Sequence, residues 1–169
     1  MHSRVIRNRK LGPLTIRPLR DGDTDTVAGV FDQLGEESRA RRFNGAKPRL
    51  SDAELAQLAR VDAGRHALVA YVEGDPRPAG LAQLVREHDC WTRAEIAFAV
   101  ADRYHGRGVG SGLVELLAAD ARAAGVTHLT ATIQSSNAAA YSLVRKVASV
   151  LGVRYEAGEA SVVAALGAS

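Results

Sequence analysis

The sequence predicts a single α/β domain built on one mixed, mostly antiparallel sheet with helices on both faces. Three observations lead there. The apolar pattern switches between period two and period 3.6 in the order β-α-α-β-β-β-α-β-α-β-β, which implies one sheet with helices packed on it. Three consecutive apolar runs in the middle of the chain are joined by turn residues, as in an antiparallel meander. The 169 residues, 46% apolar and 24% charged, suffice for one domain with a core and exclude a disordered tail. The domain is read over 13–169, preceded by a basic N-terminal extension over 1–12.

Each element follows from local chemistry. Leu14-Thr-Ile-Arg17 alternates apolar and polar, and Pro18 suits a strand end. Asp21-Gly22-Asp23 offers an N-cap for a helix striped by Val27, Val30, Phe31 and Leu34. Residues Glu36 to Arg49 are charged and carry Gly45 and Pro48, which predicts a short helix or loop bordering a binding site. Ser51 and Glu54 form a capping box ahead of Leu55, Leu58 and Val61 as a buried stripe. Strands are predicted over 67–73, 79–87 and 93–101, with turns at Gly74-Asp75-Pro76 and His88-Asp89-Cys90-Trp91. Val109, Leu113, Leu116, Leu117, Ala121 and Ala124 mark one helix face, stopped by Gly125. Leu129, Ala131 and Ile133 alternate in the next strand. Asn137 caps a helix striped by Ala140, Leu143, Val144, Val147 and Leu151, and strands over 153–155 and 160–166 close the chain.

Composition narrows the function. The formal charge is +3, from 22 Lys and Arg against 19 Asp and Glu. With only 5% aromatic residues the basic excess lacks the stacking side chains of a nucleic-acid binder, so solvated arginine is the preferred reading and no nucleic-acid partner is expected. No apolar run approaches the roughly 20 residues needed to cross a bilayer, and no apolar signal core follows the first basic residues, so a cytoplasmic protein with no membrane partner is expected. Cys90 is the single cysteine, which leaves no disulfide and no thiolate cluster. His88, His105 and His128 show no paired spacing, so no metal site is expected.

One motif carries chemistry. His105-Gly-Arg-Gly-Val-Gly-Ser-Gly112 lies between a strand and a strongly periodic helix. Such a loop offers unpaired N–H groups at the positive end of a helix dipole, and its glycines let an anion approach the backbone. The Walker spacing fails because no lysine occurs between Lys47 and Lys146, and the dinucleotide fingerprint fails on its third glycine.

A loop of this form, after a β-meander and before a strand and an Asn-capped helix, resembles the acetyl-CoA pyrophosphate loop of the GNAT N-acetyltransferases. The likeness runs from about Leu14 to Leu166. A closer one, to bacterial protein-lysine acetyltransferases, rests on Thr15-Ile-Arg-Pro-Leu-Arg20, Glu37-Ser-Arg39 with Arg42-Phe43, and Ala94-Glu-Ile-Ala-Phe98. The resemblance implies a GNAT-like fold and acetyl-CoA as acyl donor. Its pyrophosphate would sit among His105, Gly106, Arg107, Gly108, Val109, Gly110 and Ser111, with His105 contributing mainly through its backbone. The strand would open at a bulge so that the backbone of Phe98 to Val100 pairs with the pantetheine arm and polarises the thioester carbonyl. Asn137 would bond the pantetheine or only cap its helix. Arg39, Arg41, Arg42 and Phe43 would form the acceptor wall.

The family's Asn-x-x-Ala-x-x-Leu-Tyr reads Asn137, Ala140, Leu143, Val144, so the tyrosine that commonly protonates the leaving thiolate is absent. Tyr141 lies about 60° around the helix from Val144 and is the candidate replacement. Acetylation needs a neutral amine, and a lysine amine with a pKa of about 10.4 is almost wholly protonated at neutral pH, so a base is required. Glu95 is the candidate. It alternates with Ile96, Phe98 and Val100 and is flanked by alanines, which predicts partial desolvation and a raised pKa. The predicted activity is direct transfer of acetyl to a protein lysine. A small-molecule amine is the alternative acceptor, and a non-catalytic acyl-CoA-binding module the alternative from another class. Terminal strands at a sheet edge make a homodimer conceivable.

Overall fold

The computed structural model describes residues 2–43 and 47–167. Eight strands form one sheet in the order β1-β2-β3-β4-β5-β6-β8-β7. They are β1 (Arg4–Asn8), β2 (Gly12–Pro18), β3 (Arg65–Val72), β4 (Gly80–Glu87), β5 (Cys90–Val100), β6 (His128–Gln134), β7 (Ser149–Glu156) and β8 (Glu159–Ala165). Neighbours are antiparallel except β5 and β6, which run parallel. The helices are α1 (Thr24–Phe31), α2 (Glu36–Phe43), α3 (Asp52–Leu58), α4 (Val109–Ala123) and α5 (Ala138–Val147).

Two cores lie on opposite faces of the sheet. Leu14, Ile16, Leu68, Leu84 and Ile96 meet Leu113, Leu117 and Val144 beneath α4 and α5. Val69 and Leu81 meet Val27, Val30, Phe31 and Leu34 beneath α1 and the segment that follows it. The caps form as expected: Asp23 accepts from Thr26 N–H (3.1 Å), and Ser51 and Glu54 exchange both bonds of the capping box. Leu55, Leu58 and Val61 are half-buried instead of buried, and Ala59 is the fully covered residue at the end of α3.

Three expectations are corrected. The basic segment expected as an extension contains β1, which pairs with β2 from Arg4↔Ile16 to Asn8↔Gly12 and forms one edge of the sheet. The helix expected to run through Leu151 ends at Val147; Ala148 is already extended (φ −146°, ψ 153°) and Leu151 lies exposed on edge strand β7. The bulge expected near Phe98 is absent: β4 and β5 stay in register from Gly80↔Val100 to Arg86↔Ala94, and the irregularity falls between Arg86 and Glu87. No helix among the described residues is long and apolar enough to cross a membrane.

Candidate active site

The split between β5 and β6 makes the site. The two strands pair only from Arg93↔His128 to Glu95↔Thr130, after which β5 runs on to Val100 and β6 to Gln134 without touching. Between them opens a groove with a cavity of about 650 Å³. β5 forms one bank and α5 with β6 the other; the start of α4 closes one end and α2 the other. Glu95 stands at the apex of the fork, the last paired residue of β5.

The free edge of β5 presents backbone donors. Ala101 N–H donates to Ala79 O (2.9 Å), which fixes the alternation. Residues 97, 99 and 101 turn their polar groups to β4, and Ile96, Phe98 and Val100 turn theirs to the groove. The splay therefore needs no bulge to expose the N–H groups of Phe98 and Val100.

At the α4 end, Tyr104 closes a 3₁₀ turn (Asp102–Tyr104) and residues 105–108 lead into the helix. Gly106 (φ +67°) and Gly108 (φ +89°) adopt left-handed backbone that other residues resist. The first bond of the helix runs from Gly112 N–H to Gly108 O (3.1 Å), so the N–H groups of Val109, Gly110 and Ser111 project from the helix end. Gly106, Gly108, Gly110 and Ser111 line the groove. Val109 is wholly buried and, unlike Gly108 and Gly110 on either side of it, does not line the groove.

The glycines have different reasons. A Cβ on Gly110 would lie 3.0 Å from Leu143 Cδ1, so this glycine lets α5 approach. One on Gly112 would lie 2.7 Å from Ile6 Cδ1, on the side away from the groove. His105 uses its N–H on Asp102 O (3.1 Å), and its ring donates from Nε2 to Val100 O (2.8 Å). Arg107 also spends its N–H, on Tyr104 O (3.3 Å), and its exposed side chain is what it offers.

At the α2 end, Arg41 and Arg42 line the groove with Ser38. Arg41 pairs with Glu37 on the same helix. Arg42 donates to Gln83 Oε1 (2.7 Å), and its guanidinium stands 5.0 Å from the Phe43 ring. Burial pushes the Arg42 guanidinium below its ordinary value, and the nearby Glu95 carboxylate acts in the opposite direction. Arg39 turns away, donating to Leu34 O (2.9 Å) and Pro48 O (2.8 Å) over the Phe31 ring. Glu95 is exposed, so the expected desolvation is not present; Ala97 and Ala99 are too short to cover it. A second recess of about 300 Å³ borders Glu95 and Arg42 and includes Arg65 and Gln83.

On the far bank, Asn137 lines the groove while capping α5, its Oδ1 accepting from Ala140 N–H (3.1 Å). Ala139, Ala140, Ser142 and Leu143 share its groove face. Tyr141 does not: it sits half-buried against the main core on the side of Val144, which is 1% exposed. Residues three apart share a helix face, so Tyr141 lies on the side of Val144 and is not among the residues that line the groove. Ser142 and Gln134 are lining residues that the sequence did not single out. Gln134 donates to Ala40 O (3.1 Å) and so ties the end of β6 to α2.

The chain belongs to the acetyltransferase (GNAT) family, whose family model matches residues 32–148. It is 33% identical over 138 residues to the acetyltransferase Pat of Mycolicibacterium smegmatis, an alignment covering 81% of this chain. The chain spans only 40% of the length of that curated relative. Among solved structures it is similar to the GNAT domain of S. lividans PAT, at TM-score 0.85 and 25% identity over 97% of both chains. It also shares its fold with yncA, a putative acetyltransferase from Salmonella typhimurium solved with its cofactor acetyl-CoA, at TM-score 0.68 and 21% identity over 92% of this chain and 94% of that one.

Proposed function

We propose that the protein transfers acetyl from acetyl-CoA directly to the side-chain amine of a protein lysine, with Glu95 as general base. The observation that carries this is the position of Glu95 at the last paired residue of the fork, beside the free N–H groups of β5. The groove suits the donor in three respects: a helix end for the pyrophosphate, a strand edge for the amide-bearing arm, and a length of cavity joining the two.

When bound, acetyl-CoA supplies an electrophilic thioester carbonyl and a thiol leaving group. The N–H of Phe98 or Val100 polarises that carbonyl. Glu95 takes a proton from the acceptor ammonium, directly or through one water, and the freed amine forms the C–N bond as the C–S bond breaks. The second proton on nitrogen passes to solvent. A thiolate with a cysteine-like pKa of about 8.5 departs without an acid, so the packing of Tyr141 in the core is no obstacle. Gly106, Gly108, Gly110 and Ser111 would surround the pyrophosphate, with Arg107 at its rim and Asn137 on the opposite bank; Val109, wholly buried, would pack beneath them. Arg41 and Arg42 favour acceptors with acidic flanks.

A second reading has its own support. The recess bordered by Arg42 and Arg65 would hold a small amine bearing a carboxylate. Lysine peptides and free amino acids competing for one preparation, read by thiol release, separate the two. Calorimetry tests the common ground: wild type binds acetyl-CoA, and Glu95→Gln binds it equally while turnover falls by about 10²- to 10⁴-fold, the usual contribution of a general base. Absence of acetyl-CoA binding would end both readings.

A further inference from the structure

We propose that Asn8, at the tip of the β1–β2 hairpin, is a positioning residue for the donor's pyrophosphate. The inference rests on the proposed binding of acetyl-CoA at the start of α4. Asn8 Nδ2 donates to Arg107 O (2.8 Å), ninety-nine residues further along the chain. Its Oδ1 accepts from Lys10 N–H (2.8 Å) and Leu11 N–H (3.1 Å), which folds the hairpin turn around the side chain. Lys10 Nζ adds a second clamp on Gly106 O (2.7 Å).

A trans peptide points its C=O and N–H in opposite directions. Holding the Arg107 carbonyl against the hairpin therefore aims the Gly108 N–H away from it, toward the groove that Gly108 lines. Glycine makes this necessary. The left-handed φ of +89° that opens the loop is available because Gly108 lacks a side chain, and the same freedom lets the preceding peptide plane rotate. Among the described residues, the bond from Asn8 Nδ2 is what holds the Arg107 carbonyl and opposes that rotation. A Cβ on Gly108 would lie 2.9 Å from Asn8 Nδ2, which shows how closely the two are fitted.

The hairpin can act as a clamp because it is itself fixed to α4. Ile6 packs over Gly112, and Arg4 donates twice to Asp120 (2.6 and 2.7 Å), which His66 Nε2 also meets at 2.9 Å. Asn8 thus pre-orders a donor array that would otherwise be ordered by the ligand at the ligand's expense.

Asn8→Ser removes the donor to Arg107 and introduces no charge. The KM for acetyl-CoA is expected to rise about five- to tenfold, the size of one hydrogen bond, with kcat within about twofold of wild type. S-acetylpantetheine has the same thioester but no pyrophosphate, and with it wild type and variant should give equal kcat/KM. Asn8→Asp keeps the acceptor for both turn bonds, so the hairpin stays folded. In about 1 M salt, where screening shortens the reach of its added charge to about 3 Å, it should show the same donor-selective loss. Equal losses with both donors for Asn8→Asp, or no loss with acetyl-CoA for either variant, would overturn the proposal. A wild type that uses S-acetylpantetheine as well as it uses acetyl-CoA, or uses neither, would instead remove the reading beneath it.

Discussion

The two ends of the groove are built from different materials. At the α4 end the surface is backbone: two left-handed glycines, a helix terminus, and carbonyls held from outside by Asn8 and Lys10. At the α2 end it is long charged side chains, Arg41 tied to Glu37 and Arg42 to Gln83, around an exposed Glu95. A backbone site accepts almost no substitution, because it is made of conformations. A side-chain site changes its preference with one residue and leaves the fold alone. Donor recognition by the first and acceptor choice by the second is the division this contrast suggests.

The sharpest way to break the contrast is Gly108→Ala. Alanine at φ +89° costs about 1–2 kcal/mol of backbone strain, and its methyl would press on Asn8. The KM for acetyl-CoA is expected to rise about five- to thirtyfold, the equivalent of that strain. Gly125→Ala is the control. It has a similar φ of +82° at the stop of α4, with nothing within 4 Å of its Cβ. It should lose comparable thermal stability and keep the wild-type KM; an equal rise in KM would reduce the loop glycines to elements of the fold.

The same contrast explains what the sequence revealed. The glycine loop was legible as a conformation, because left-handed backbone of the kind Gly106 and Gly108 adopt leaves a residue signature, and its position between a strand and a periodic helix was legible with it. Gly110 and Gly112 belong to the same run but serve packing against Leu143 and Ile6, a distinction that only tertiary neighbours make. The β1–β2 hairpin was readable in part: Asn8 followed by a short polar turn and Gly12 is a turn signal, hidden beneath a run of basic residues that invited the reading of a solvated tail. Tyr141 was misplaced because the family's spacing locates a helix face but not which neighbour that face meets. Here the face carrying residues 141, 144 and 147 packs toward the core. The desolvation of Glu95 was inferred from flanking alanines, yet alanines on a strand neighbouring an open groove leave a carboxylate uncovered. Leu151 kept the helical spacing for one turn too many, since a stripe of period 3.6 does not register where the backbone turns extended.

At the side-chain end the expected effect is smaller. Arg42→Gln keeps a polar group against Gln83 and removes the charge that faces acidic flanks. The KM for a lysine peptide with acidic neighbours should rise about fivefold, corresponding to about 1 kcal/mol, the top of the range for exposed ion pairs, because Arg42 is half-buried. The KM for acetyl-CoA should stay unchanged. A change in the acetyl-CoA constant as large as that for the peptide would mean that the two ends are coupled and the division is false.

The smallest effect concerns stability, and it extends the comparison to what stands behind the backbone end. Asp75, in the turn between β3 and β4, accepts from Tyr104 Oη (2.7 Å) and Arg77 N–H (3.0 Å) and pairs with Arg103 (2.8 Å). These bonds, the tyrosine's first, hold its carboxyl well below the usual carboxylate range. Burial, and then the bond to Asp75, raises the Tyr104 hydroxyl above its ordinary value. Asp75 binds fewer protons folded than unfolded in acid, so its contribution is complete above the unfolded value of about 4 and disappears as the pH falls through the folded one. Tyr104 has the opposite sign: its contribution is present below about pH 10 and is lost as the pH rises through its raised value. Asp75→Asn is therefore expected to lower the melting temperature at pH 7 by a few degrees, with the difference shrinking in scanning calorimetry as the buffer is taken below pH 4. The KM for acetyl-CoA should change less than about twofold, because Asn8 and Lys10 still hold the carbonyls of the loop that follows Tyr104. A gap that stayed constant down to pH 2 would mean that the asparagine fails by shape and not by charge, and that the carboxylate is not what anchors the start of the loop.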